Sequence, residues 1–299
     1  MGRAQQSAAP GLRGAALSRF TRFVAIDWSG AKGKRHKGIA LAICETGQGA
    51  PILIAREQAW SRTGVLDWLL ATASDAPTLY GFDFSYAPPI MERGAYFPGE
   101  AAVPADARAF WAYVDALCQD EDLGAASFLE QHHRPHFYFG AADGEKARFM
   151  HHRVCEHAFN ALGGGKASTL YDAIGASQVA KASYAGMRLL NRLAGKVAVW
   201  PMQDVPSTGS LVVEIYTRVF IRLAGLSGRK VRSREQLDQA LAGLGSAPAL
   251  LDHEPSDHET DVLIAAAGLR VIAEQPQYWH PAALTPEIAH TEGWTFGVL

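Results

Sequence analysis

Four stretches of this chain couple a short apolar run to an acid. A buried strand that ends in a carboxylate has few places to put it. Phe23–Ile26 closes on Asp27 before Ser29 and Gly30 open a turn. Thr78–Ser85 (TLYGFDFS) carries Asp83, and Leu211–Thr217 (LVVEIYT) carries Glu214. Asp257–Leu269 (DHETDVLIAAAGL) places Asp257, His258 and Asp261 ahead of its apolar run. Short apolar runs of this kind suit buried strands, and the carboxyl ends of such strands are where open α/β sheets bind ligands. The expectation is that Asp27, Asp83, Glu214 and Asp261 converge on one divalent-metal site.

The remaining composition sets bounds on that site. A chain of 299 residues that is 48% hydrophobic and 19% charged is an ordinary globular one. It has no run of roughly 18 apolar residues, so no membrane helix is expected. The net charge of −2 gives no global basic field for nucleic acid, although a local basic patch can supply phosphate contacts. Cys44, Cys118 and Cys155 are odd in number and widely spaced, with no CxxC pattern. A reducing cytoplasm is the expected setting. Residues 1–20 are rich in Ala, Gly and Arg and lack acids, which reads as a disordered leader.

Taken in order, Phe23–Asp27, Gly38–Cys44 and Pro51–Glu57 read as three strands. Their short connections favour an antiparallel meander. Arg62–Ala73 has a broad apolar stripe and a cap at Ser61 or Thr63. Thr78–Phe84 follows this helical crossover and is therefore expected to be parallel to its neighbour. From about 90 to 206 the alternation stops. Asp106–Leu117, Lys146–Leu162 and Ser177–Ala194 read as helices of an insertion. The sheet then resumes with Leu211–Tyr216 as a fifth strand. Helices are expected over Val219–Leu226, Ser233–Leu244 and Asp257–Ile272, and Glu292–Leu299 is a candidate return strand.

Three meander strands, a helix, a parallel strand, an insertion, a further strand and a closing helix is the order of the RNase H-like fold. The expected architecture is thus an α/β RNase H-like mixed sheet, flanked by helices, in a single domain over 21–299. The blocks AIDWSG, GFDFSYAPP, VVEIYT and DHETDVLIAAAG, with the EGWTFGV tail, resemble the uncharacterised DUF429 family of predicted RNase H-like nucleases. The helix block is also similar to the closing helix of Holliday-junction resolvases, where an acid or His stands three residues before an Asp, as His258 does before Asp261.

The resemblance implies a divalent-metal-dependent nuclease. Asp27 would be the central metal ligand, Asp83 the second acid and Asp261 the helix acid, with His258 or Asp257 beside it. Glu214 has a counterpart in the predicted-nuclease group but none in the resolvases. The implied catalytic set is Asp27, Asp83, Glu214, Asp261 and His258. The implied metal ligands are Asp27, Asp83, Asp257 and Asp261. Clustered carboxylates repel unless a cation joins them. Oxygen ligands select Mg²⁺ or Mn²⁺ over zinc. DNA or RNA would be the partner.

Each acid also has a structural reading. Asp27 and Asp83 could hold turns. Glu214 could pair with Arg218 or Arg222, and Asp257 could serve the first turn of its helix. Other signals point elsewhere. His132, His133 and His136, and His151, His152 and His157, match no zinc spacing. GGGKAS (163–168) lacks the first glycine of a P-loop, because Asn160 stands there. Lys181, Tyr184 and Arg188 share a helical face, expected to be solvated. Two rival functions remain open: an actin-like or kinase-type nucleotide-binding protein, which needs a second copy of the sheet, and a non-catalytic scaffold with the same fold.

Overall fold

A computed structural model describes residues 19–165, 167–174, 179–227 and 230–299. Its centre is a mixed six-stranded sheet of order β3-β2-β1-β4-β6-β5. Strand β1 (Arg22–Asp27) pairs antiparallel with β2 (Ala40–Glu45), which pairs antiparallel with β3 (Ile52–Leu53). Helix α1 (Arg62–Thr72), capped by the Ser61 hydroxyl, crosses over to β4 (Thr78–Asp83), and β4 lies parallel to β1. The fifth and sixth strands in sheet order, β6 (Leu211–Glu214) and β5 (Ala198–Val199), continue the parallel half. β1 and β4 are apolar nearly throughout because both faces of the sheet are covered.

Alternation along the strands sorts the core into two layers. Val24, Ile26, Tyr80, Phe82 and Val212 face α1, α2 (Ala107–Leu117) and α4 (Ala180–Leu193). Phe23, Ala25, Leu79 and Val213 face the other way, toward α5 (Thr217–Leu223), α6 (Arg234–Gly243) and α7 (Asp257–Ile272). Helix α7 carries Val262–Ala267 and lies directly on the sheet, so it is buried over most of its circumference. Gly81 makes the close approach possible. A Cβ there would come within 2.7 Å of Ile215 and 2.8 Å of Leu269.

Several expectations are corrected. Pro51–Glu57 keeps only the two paired residues of β3. The insertion is shorter on the sheet side, because β5 joins the sheet before residue 206. Lys146–Leu162 is not one helix. A tight turn at Lys146–Phe149 is followed by α3 (Val154–Ala161), and Arg153 between them is extended and buried. Lys181, Tyr184 and Arg188 are not a solvated face. Lys181 bonds Glu130 at 2.9 Å, Tyr184 is fully buried and Arg188 is drawn to Asp115 at 3.0 Å.

The tail does not form a strand. It has the short helices α8 (Pro276–Trp279) and α9 (Pro286–Thr291), then a single parallel bridge from Thr295 to Glu214. Gly293 (φ +71°) and Gly297 (φ +101°) bend the backbone on either side of that bridge. Of the expected leader, residues 1–18 lie outside the described residues, and Phe20 is buried against Trp279. Among the described residues no helix is long and apolar enough to cross a membrane.

Candidate functional site

Asp27 and Asp83 are the last residues of two adjacent parallel strands and stand in register with each other. Strand alternation continues Ala25 to Asp27 and Gly81 to Asp83, so both carboxylates lie on the α7 side of the sheet. Helix α7 brings His258 and Asp261 to the same end. Its start is fixed by a capping box, in which the Ser256 hydroxyl and the Glu259 carboxylate bond each other's backbone N–H groups. Asp261 lies one turn beyond Asp257, on the inner side of α7.

The contacts among these groups divide the labour. His258 Nδ1 lies 2.6 Å from Asp27 Oδ2. This bond raises the imidazole above its ordinary value, with the charges of Asp27 and Asp261 adding to the effect. The Thr217 hydroxyl donates to Asp83 Oδ2 at 3.1 Å. Asp83 is nevertheless pushed well above the carboxylate range, first by burial and then by the charges of Asp27 and Asp261. Asp261 is raised to about 7, by burial and then by Asp27. The three acids feel one another as like charges, and their environment favours a bound proton or cation.

The other two expected acids are placed differently. Asp257 sits at the exposed mouth and pairs with Lys230 at 2.8 Å, which holds its carboxylate below the usual range. Glu214 is a correction. It is in register with Phe82, not Asp83, so its side chain leaves the opposite face of the sheet. Its carboxylate accepts from Arg153 Nη2 at 2.6 Å and Nη1 at 2.8 Å, from the Thr295 hydroxyl at 2.6 Å and from the Tyr86 backbone N–H at 2.9 Å. The expected partners Arg218 and Arg222 are not the ones used.

The sequence reading missed the residues that hold the turn after Asp27. Arg62 is buried at the first position of α1. It donates to the Ser29 carbonyl at 2.7 Å, the Ala31 carbonyl at 2.6 Å and the Asp122 carbonyl at 3.1 Å. A cation at the start of a helix is electrostatically misplaced, and that was the available signal. Asp122 in turn accepts from the backbone N–H of Arg62 and of Thr63, each at 3.0 Å, and pairs with buried His36 at 3.0 Å. Several histidines of the insertion are carboxylate partners, whereas His152 meets the Ala167 carbonyl at 3.1 Å. His133 and His136 both meet Glu100, at 2.8 and 2.6 Å, and His151 meets Glu92 at 3.2 Å. Lys166 of the GGGKAS segment lies outside the described residues.

The oxygen-only donors Asp27, Asp83 and Asp261 suit a hard divalent cation and would not select zinc. Among the described residues no three His, Cys, Asp or Glu side chains already stand at metal-ligand spacing. Two surface hollows, of about 310 and 500 Å³, are lined by Arg22 and Thr78 and by Gly209 and Ser210. Both lie at the amino ends of the strands, away from these acids. Compared with protein-family models, with curated proteins and with solved structures, the chain matches none.

Proposed function

We propose that this protein is a divalent-metal-dependent nuclease of the RNase H-like kind, as its four acid-bearing blocks suggest. The observation that carries the reading is the gathering of Asp27, Asp83 and Asp261 from β1, β4 and α7 at one end of the sheet. There burial first, and then the like charge of Asp27, raises Asp83 and Asp261. A strand order of 3-2-1-4-6 in which β2 runs antiparallel to both β1 and β3 supports the same fold assignment.

Asp27, Asp83 and Asp261 would hold Mg²⁺ or Mn²⁺, which supplies water activation and charge neutralisation for phosphodiester hydrolysis. The chain's own groups prepare that site. Thr217 fixes one oxygen of Asp83, and His258 fixes one oxygen of Asp27. Arg62 holds the turn after Asp27, so the carboxylate is presented from a rigid strand end. His258 is half-exposed and can exchange a proton with solvent or substrate at Nε2 while Nδ1 remains on Asp27.

A non-catalytic scaffold is favoured by the His258–Asp27 pair, which satisfies Asp27 without a metal. The actin-like alternative lacks its second sheet among the described residues. Calorimetric titration with Mn²⁺, on wild type and Asp27→Asn, separates the first two readings. The nuclease reading expects wild type to bind, and Asp27→Asn to lose at least about tenfold in affinity while its melting temperature is held or raised. Failure of wild type to bind Mn²⁺, alone and with an oligonucleotide present, would leave the scaffold.

A further inference from the structure

Tyr216, Thr217 and Arg218 follow β6 directly. Thr217 is buried and bonds Asp83. The Tyr216 hydroxyl accepts a 3.3 Å hydrogen bond from Arg218 Nη1, and its ring lies edge-on to Phe159 at 5.2 Å. Burial pushes the Tyr216 hydroxyl up, and the charges of Asp83 and Asp261 reach it as well as that of Arg218. Arg218 thus follows directly on Thr217, whose hydroxyl bonds Asp83.

The other side of Arg218 is backbone. A Cβ on Gly165 (φ +100°) would come within 2.6 Å of Arg218 Nη2, so the guanidinium lies against the Gly163–Gly165 turn. Arg222, one helical turn further on, is spent on the carbonyls of Leu162 and Gly163. Arg218 has no comparable use. Among the described residues its guanidinium has no carboxylate partner and bonds only the Tyr216 hydroxyl. The residues outside that set (1–18, 166, 175–178, 228 and 229) include no acid. A half-buried arginine that is oriented by a phenol but carries no counter-charge is suited to an external anion, and its planar fork matches phosphate.

We infer that Arg218, oriented by Tyr216 and given room by Gly165, binds a backbone phosphate of the nucleic-acid strand that crosses the Asp27–Asp83–Asp261 acids. This rests on the nuclease reading and adds where the strand runs, between the Gly163–Gly165 turn and the carboxyl ends of β1 and β4. Arg218 is a substrate-positioning group here, since phosphate contact fixes register without reading sequence.

The test is fluorescence anisotropy of a short labelled single-stranded oligodeoxynucleotide over a salt series. It is run in EDTA and in Mn²⁺, on full-length wild type, Arg218→Gln and Arg218→Lys, with Mn²⁺ calorimetry on each. Arg218→Gln should weaken oligonucleotide binding about tenfold and flatten the salt dependence by about one phosphate contact. Mn²⁺ affinity and melting temperature should be unchanged. Arg218→Lys should keep the wild-type salt slope and recover part of the affinity. Unchanged binding and slope in Arg218→Gln would overturn the inference. So would a wild type that binds no oligonucleotide. If Mn²⁺ still binds in that case, the metal site stands and only the nucleic-acid substrate fails. If oligonucleotide binds through Arg218 without Mn²⁺ affinity, the contact stands and the metal reading fails.

Discussion

Asp27, Asp83 and Asp261 stay ionised together only at an energetic cost, and that cost has a sign that can be measured. Asp261 is raised to about 7 from an ordinary 3.8. Between those values the folded state holds more protons than the unfolded chain, so this group's contribution to stability is lost as pH rises. Asp83, also raised, acts in the same direction. His258 adds to the trend above its ordinary 6.5, because its pairing with Asp27 favours the protonated ring. Burial lowers His36 and His133, which oppose the trend below that pH, so a difference between two proteins is the cleaner readout. Metal-free Asp261→Asn should be more stable than wild type at pH 8 by on the order of 2–4 kcal/mol. The two should converge near pH 4. Mn²⁺ should stabilise wild type and leave Asp261→Asn nearly unmoved. Urea melts at the two pH values, with and without Mn²⁺, check this. An Asp261→Asn protein less stable than wild type at pH 8 in EDTA would mean that the carboxylate is a supporting structural group.

At the scale of elements, strand alternation separates what the sequence disclosed from what it hid. The apolar runs gave the strand ends at Asp27 and Asp83, and Ser61 marked the start of α1 by its capping chemistry. α7 was legible at both ends because its acids precede a run that is apolar all round. Glu214 was readable in principle but grouped wrongly. In LVVE the acid follows Val212 by two residues, so it shares the face that carries Phe82, whereas Asp27 and Asp83 leave the other face. Pairing register, which no local pattern supplies, decides between the faces. The two-residue β5 and the short α8 carry too little periodicity to detect. Arg153 gave no sign of burial, because apart from the nearby Glu156 its partners lie 61 and 139 residues away. Arg153 is enclosed by the carboxylates of Glu214 and Glu156, and Glu214→Gln replaces the charged acceptor of both Arg153 Nη groups by an amide whose NH₂ faces those donors. Glu214→Gln should cost about 1.5–3 kcal/mol in a denaturant melt and leave Mn²⁺ affinity within about twofold of wild type, since the carboxylate faces away from the three aspartates. Loss of Mn²⁺ binding in a folded Glu214→Gln protein would return Glu214 to the metal site.

The whole molecule is tied together across its insertion by polar groups that have no access to water. Glu292, fully buried at the end of α9, accepts from the backbone N–H of Ile90 at 2.7 Å and of Met91 at 2.9 Å with one oxygen. The other oxygen accepts from the Val154 N–H at 2.8 Å. One carboxylate thus joins the segment after β4, the start of α3 and the tail. Arg153 joins the same region to β6 through Glu214 and reaches the Glu292 carbonyl at 3.1 Å. The Tyr96 hydroxyl donates to the Thr291 carbonyl at 2.6 Å, a second clamp between insertion and tail. With these links the insertion cannot leave the sheet without stranding buried donors, each costing about 1–3 kcal/mol. The chain should therefore unfold in one transition, reported identically by tryptophan fluorescence and by far-ultraviolet circular dichroism. Glu292→Ala strands three N–H groups at once. It should lower stability by roughly 3–6 kcal/mol and move both probes together. A mutant in which fluorescence and dichroism separate, with the helical signal of the insertion lost first, would show that the insertion folds on its own account and that the buried carboxylates only decorate its contact with the sheet.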